Sequence, residues 1–305
     1  ACGTETDPLA SGAPNEIGSF DCGLESEFLT RGAARDAIPS LDDPVFVSAD
    51  VEVPDYLDPD TRIIGLTVDE HAFAVPHNVL WFHEIVNLTV GRKDLAITYC
   101  PLTGSSLAFD RLSVGGATLG VSGLLFMSNL VMYDRKEPST LWPQMRGEGA
   151  CGPSAGTSLR RWPVVEMEWA EWLELHPSTR VLAGDQGFPV SYEASEYPYG
   201  DYEHLSVVSF LGPMPPPDRR RPAKERVIGV PPTFDEGGER IRDPAQAFPF
   251  RALEAQPGPV TVVSFFYDRG DAVVLWSDEE RGGMVFRPWV RPTEPLTLTV
   301  TQGGI

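Results

Sequence analysis

The chain has 305 residues, of which 44 are Asp or Glu and 24 Lys or Arg, for a formal net charge of −20. Such an acidic surface repels phosphate backbones and anionic lipid and argues against nucleic acid as a partner, while 42% apolar residues exclude a disordered chain. Twenty-nine glycines and 29 prolines favour short strands and many turns over long helices, and no apolar run is long enough for a transmembrane segment.

Residues 1–37 read as a flexible leader. Ala1-Cys2-Gly3 resembles a lipoprotein-type processing point with Cys2 as the lipidated residue, and Gly3 to Ser19 has the Gly, Pro, Ser, Thr and acid content of a tether. The expectation is an extracytoplasmic protein, periplasmic or at the cell surface, with a membrane tether through Cys2. Cys2, Cys22, Cys100 and Cys151 allow three pairings. Lipidation of Cys2 leaves at least one thiol free, whereas a Cys2–Cys22 bridge leaves Cys100 and Cys151.

Ordered structure is predicted from "IPSLDDPVFVSADVEV", which reads as short strands. Arg62 to Pro76, "RIIGLTVDEHAFAVP", predicts a hairpin turning at Asp69-Glu70. His77 to Asn87, "HNVLWFHEIVN", lacks strand alternation and predicts a short buried helix capped by Asn78. "LAITYC" is a strand, "SLAFDR" its return, and Ala117–Gly123 and Asn129–Tyr133 are further strands. "EMEWAEWLELHP" predicts a second helix, with Trp169, Trp172, Leu173 and His176 on one face and Pro177 at its end.

Two words recur. "RIIGL" at 62–66 returns as "RVIGV" at 226–230, followed by "AFAV" at 72–75 or "AFPF" at 247–250 and then by an apolar strand. Setting Gly104 against Gly270 places Cys100 opposite Phe266 without a gap. The fold expected is mainly β with a few short helices (α+β): two related β units, from internal duplication, packed as one body. The boundaries are a first unit with helices and the site over 38–214, a linker over 215–225 and a second, shorter unit over 226–305. The linker holds the chain's one basic island, "PPPDRRRPAKER".

Cys100 follows an apolar strand and precedes Pro101, which cannot continue a paired strand, so its thiol falls at a strand end where loops gather. Thr103 stands where a Cys-x-x-Cys motif needs its second thiol, which argues against a thioredoxin-like dithiol, but its hydroxyl can donate to a thiolate. His83 and Glu84 lie on the predicted helix, and Asn87, four residues after His83, shares its face. A thiolate with an imidazole holds copper or zinc, and the same pair makes an activated nucleophile. The plain alternative is a histidine satisfied by backbone in a buried helix. Phe109-Asp110-Arg111, Tyr133-Asp134-Arg135 and Tyr267-Asp268-Arg269 each follow a strand, where the Asp starts a turn that the Arg holds. Trp142 and Gln144 in "LWPQMRGEG" are read as loop residues open to ligand contact or packing.

"IPSLDDPVFV", "WFHEIVN", "TYCPLTGSSLAFDR", "GVSGLLFMSNLVMYDR", "LWPQ", "WAEW…HP" and "KERVIGV" together resemble domain-of-unknown-function family 3179, over about Ala37 to Leu253. The resemblance implies a prokaryotic, exported or lipid-anchored protein and no particular reaction. Many members read Cys-Pro-Leu-Cys where this chain has Cys100-Pro101-Leu102-Thr103. By position, Cys100, His83, Glu84 and Asn87 match the signature motifs, as do Ser122, Tyr133, Asp134, Trp142 and Gln144. Thr103 is added to these as a ligand-binding candidate.

Three readings follow. The first is a Cys100–His83 site for a thiophilic metal, copper before zinc. The second is a cysteine-nucleophile or redox enzyme with His83 as base and Asn87 or Glu84 orienting the imidazole. The third is a non-catalytic ligand-binding or assembly module in which Cys100 is packing.

Overall fold

The computed structural model of the protein describes residues 23–136, 138–203, 222 and 224–226, together with the backbone of strands between 227 and 300. Two α-helices and several β-sheets make up the described chain, which is mainly β. None of the described helices is long and apolar enough to cross a membrane.

The strands before residue 204 are β1 (Leu29–Arg31), β2 (Phe46–Ser48), β3 (Arg62–Val68), β4 (His71–Pro76), β5 (Ile85–Val90), β6 (Lys93–Cys100), β7 (Ser105–Asp110), β8 (Leu119–Phe126), β9 (Asn129–Asp134), β10 (Leu141–Pro143), β11 (Arg160–Trp162), β12 (Val165–Glu168) and β13 (Arg180–Leu182). They form three sheets, ordered β1-β8-β9-β10, β11-β7-β6-β5 and β12-β3-β4-β13-β2. The sheet built on β6 lies between the other two. On one side Ile97, Tyr99, Val86 and Leu88 share a core with β3, β4 and helices α1 (His77–His83) and α2 (Trp169–Leu175). On the other, Ile85, Ala96, Cys100 and Phe109 pack on Leu119, Val121, Leu130, Met132 and Trp142. Burial on both faces explains why "LAITYC" reads as an unbroken apolar run instead of an alternating one.

The β3–β4 hairpin turns at Asp69-Glu70 as its sequence predicts, with Asp69 at φ 54°. Gly65 lies beneath Trp172: an added Cβ would meet the indole at 2.5 Å, so glycine is what lets α2 close on β3.

The first helix departs from its expected span. It ends at His83, because Glu84 adopts φ 55° as its C-cap and Ile85 begins β5, so Asn87 is a strand residue and shares no helix face with His83. Its N-cap is Pro76; Asn78 instead donates its amide to Tyr192 O and Tyr56 O. The second helix begins at Trp169, since Glu166 to Glu168 pair in β12, and the strand expected at Ala117–Gly123 runs Leu119–Phe126.

Beyond residue 226 the strands pair two by two. They are β14 (Val227–Val230) with β15 (Gln246–Pro249), β16 (Val260–Ser264) with β19 (Leu296–Val300), and β17 (Ala272–Asp278) with β18 (Gly283–Trp289). The recurring words are antiparallel pairs in both places, but Gly65 faces Ala74 whereas Gly229 faces Ala247. β6 pairs with β7, while β16 and β17 take other partners. Phe266 and Tyr267-Asp268-Arg269 lie outside the described residues, as does most of the basic island.

Candidate functional site

Cys100 ends β6, is 1% exposed and is a free thiol; its Sγ lies 3.9 Å from the Ser128 carbonyl. Burial pushes its pKa up, and the nearby Glu84 carboxyl pushes it further. The Thr103 hydroxyl and backbone act the other way as hydrogen-bond donors.

Glu84 is 7% exposed, and its carboxyl has no hydrogen bond or ion pair among the described residues. Desolvation alone raises its pKa to about 8. It also stands at φ 55°, where glycine is the unstrained cap and another residue costs about 1 kcal/mol. Ser128 is likewise at positive φ, 62°, in the tight β8–β9 turn with Met127 at 51°. Backbone strain of this kind is kept where a side chain or carbonyl must point one way. Here the Ser128 carbonyl points toward the thiol.

His83 is turned away from this pair. One ring nitrogen, Nδ1, lies 2.8 Å from Pro39 O, which can only accept, and Nε2 lies 2.7 Å from the Tyr192 hydroxyl. The imidazole is therefore held neutral with Nδ1–H donating, and burial lowers its pKa. Both nitrogens are engaged, so a metal or a proton from Cys100 reaches His83 only if one of these bonds breaks.

The other candidates bracket the scaffold. Asn87 donates to Leu119 O at 2.9 Å and accepts from Leu119 N at 3.0 Å, tying β5 to β8 across two sheets. Ser122 donates to Val131 O and accepts from Leu124 N, filling the register break between Val121 and Leu124. Asp134 accepts from Trp142 Nε1 at 2.9 Å and from the amides of Lys136 and Thr140. The Tyr133 hydroxyl bonds Asp36, and Arg35 and Arg135 lie over its ring. Trp142 and Gln144 are fully buried, Trp142 within β10 and Gln144 in the turn that follows it, which agrees with the packing alternative. Gln144 donates to Thr98 Oγ1 and Ser105 O and accepts from Ser105 Oγ and Asn129 Nδ2; Asn129 also donates to Thr103 Oγ1. This network fixes the Cys100–Gly104 turn. Thr98, Ser105, Asn129 and Tyr192 carry no local mark that sequence reading can use.

Among the described residues no three His, Cys, Asp or Glu side chains gather in a metal-holding cluster. Cys151 is disulfide-bonded, and since Cys100 is free the two are not paired. Cys2 lies outside the described residues.

The family model described as protein of unknown function (DUF3179) matches residues 35–295. The chain belongs to DUF3179. No curated protein and no solved structure matches it. The DUF3179 match spans Glu84, Cys100 and every bracketing residue above, so the site and the scaffold that positions it both lie inside the family domain.

Proposed function

We propose that this DUF3179 protein binds a thiophilic metal ion through Cys100 and Glu84, with His83 as a fixed structural neighbour. The observation that carries the reading is Glu84: a buried carboxyl with no cation, hydrogen bond or ion pair among the described residues, beside a buried free thiol. Two adjacent buried acids held protonated are costly to keep, and a cation that replaces their protons relieves both. A thiolate with a carboxylate suits Zn²⁺ better than copper, which the thiolate–imidazole pair would favour. Equilibrium dialysis tests this: one Zn²⁺ per folded chain, lost in Cys100→Ser and Glu84→Gln and kept in His83→Gln. Binding that disappears in His83→Gln and survives in Glu84→Gln would restore the thiolate–imidazole site.

A second reading, Cys100 as a nucleophile, draws on the Thr103 hydroxyl and backbone, both of which act to lower the thiol pKa. It requires haloacetamide labelling of Cys100 at neutral pH to outpace that of the denatured chain.

The disulfide at Cys151 is of a kind that persists in oxidising compartments. It supports an extracytoplasmic location, with Cys2 as the tether; cell fractionation and lipid labelling of Cys2→Ser test this. The antiparallel pairing of both recurring words supports related units over 38–214 and 226–305, separated by the 215–225 linker.

A further inference from the structure

We infer that the disulfide at Cys151 is made with Cys22, and that it staples the entry of β1 to the far edge of its own sheet. Cys151 is bonded and Cys100 is free, so the partner is Cys2 or Cys22, both outside the described residues. The residue that follows Cys22 decides between them.

Gly23 lies against the segment that carries Cys151. A Cβ added to it would stand 3.6 Å from Ala150 O, an ordinary contact distance, and its carbonyl accepts from Arg146 Nη1 at 3.1 Å. Leu24 is buried in one cluster with Ala150, and Cys151 packs against that cluster. The sequence neighbours of the two cysteines are therefore already together. One more step along the chain is about 3.8 Å between Cα atoms, and a disulfide joins Cα atoms about 5.5 Å apart. Cys22 reaches Cys151 from this anchor with no detour. Cys2 is tied to the same anchor only through residues 3–22, and pairing it would close that whole loop at an entropic cost that Cys22 does not meet.

The bond has a structural task. In the sheet ordered β1-β8-β9-β10 the two edges are β1 and β10. β1 has only three residues, all paired to β8. Cys151 runs beside β10: its carbonyl accepts from Leu141 N at 2.9 Å, and Ala150 N donates to Leu141 O at 2.8 Å. A Cys22–Cys151 bond joins the chain entering β1 to the chain flanking β10. It does so on the face that carries Leu124, Phe126, Val131 and Tyr133, turned away from the layer that holds Cys100. Forming it takes two protons and two electrons from the two thiols, and a disulfide oxidant accepts them and leaves as two thiols. Cys2 stays outside the bond, with its thiol available to the proposed lipid tether.

The test is peptide mapping without reductant on the full chain, oxidised with glutathione disulfide and alkylated while unfolded, in wild type and Cys2→Ser. One cross-linked peptide containing Cys22 and Cys151 is expected in both, with Cys100 alkylated. Urea denaturation gives a second readout: the midpoint of Cys22→Ser should fall to that of Cys151→Ser, while Cys2→Ser keeps the wild-type value. A wild-type peptide joining Cys2 to Cys151, a link between two chains, or an alkylated Cys151 overturns the inference. A midpoint that falls in Cys2→Ser and holds in Cys22→Ser overturns it as well.

Discussion

At the scale of single residues, Glu84 is the unusual group. Its folded pKa, about 8, lies above the ordinary carboxyl value of 4.5, so the folded chain holds a proton that the unfolded chain has lost between those two values. The sign follows directly: stability falls as pH rises from about 4.5 through 8, and the whole contribution is lost above the folded pKa. Glu84→Gln removes the titrating group, so chemical denaturation between pH 5 and 9 should give a flatter stability profile than wild type. The variant should also be more stable at pH 8 by a few kcal/mol, at about 1.4 kcal/mol for each tenfold change in proton affinity. An unchanged slope would mean that Glu84 ionises freely. For Cys100, burial and Glu84 predict slow alkylation at neutral pH, slower than in the denatured chain. This expectation separates the metal reading from the nucleophile reading by rate alone.

At the scale of elements, long-range side-chain brackets hold the site in place. Asn87→Leu keeps the volume near that of asparagine but removes the two bonds to Leu119, leaving a buried amide and carbonyl unpaired where β5 meets β8. A loss of about 2–4 kcal/mol in urea denaturation is expected from two such groups. Gln144→Leu strands Thr98, Ser105 and Asn129 together and should cost a similar amount while also raising the rate of Cys100 labelling, because the Cys100–Gly104 turn loosens. Local chemistry makes some of these elements legible in the sequence and hides others. The β3–β4 hairpin is readable because Asp69-Glu70 breaks two apolar runs, and α2 because its tryptophans recur at helical spacing. The helix-to-strand switch at Glu84 is unreadable: Ile85 and Val86 continue the apolar run without a glycine or proline to mark the stop. The position of Cys100 at a strand end is legible from Pro101 and the strand before it. That His83 is engaged by Pro39 and Tyr192 is decided by the way its side chain leaves the helix end. Tyr192 and Tyr202 reach His83 and the Cys100–Gly104 turn from about a hundred residues away, where no spacing rule operates.

At the scale of the whole molecule, the central sheet has a core on each side, and Cys100 sits at its end, near the β8–β9 turn and the layer that Tyr202 joins. The stack depends on close approach. Gly65→Ala drives a methyl into Trp172 and should destabilise the protein by about 2 kcal/mol, with a change in tryptophan fluorescence that reports the displaced α2. The same variant should leave zinc binding intact wherever it remains folded, because α2 packs on the face of the sheet away from the thiol. The central claim is that Cys100 and Glu84 act as one cation site, and its most direct test is intact-mass alkylation of folded protein with and without Zn²⁺. Zinc should protect Cys100 at one equivalent in wild type and His83→Gln, and should give no protection in Glu84→Gln. Alkylation at the same rate with and without zinc in wild type, or protection that survives Glu84→Gln and vanishes in His83→Gln, would contradict it.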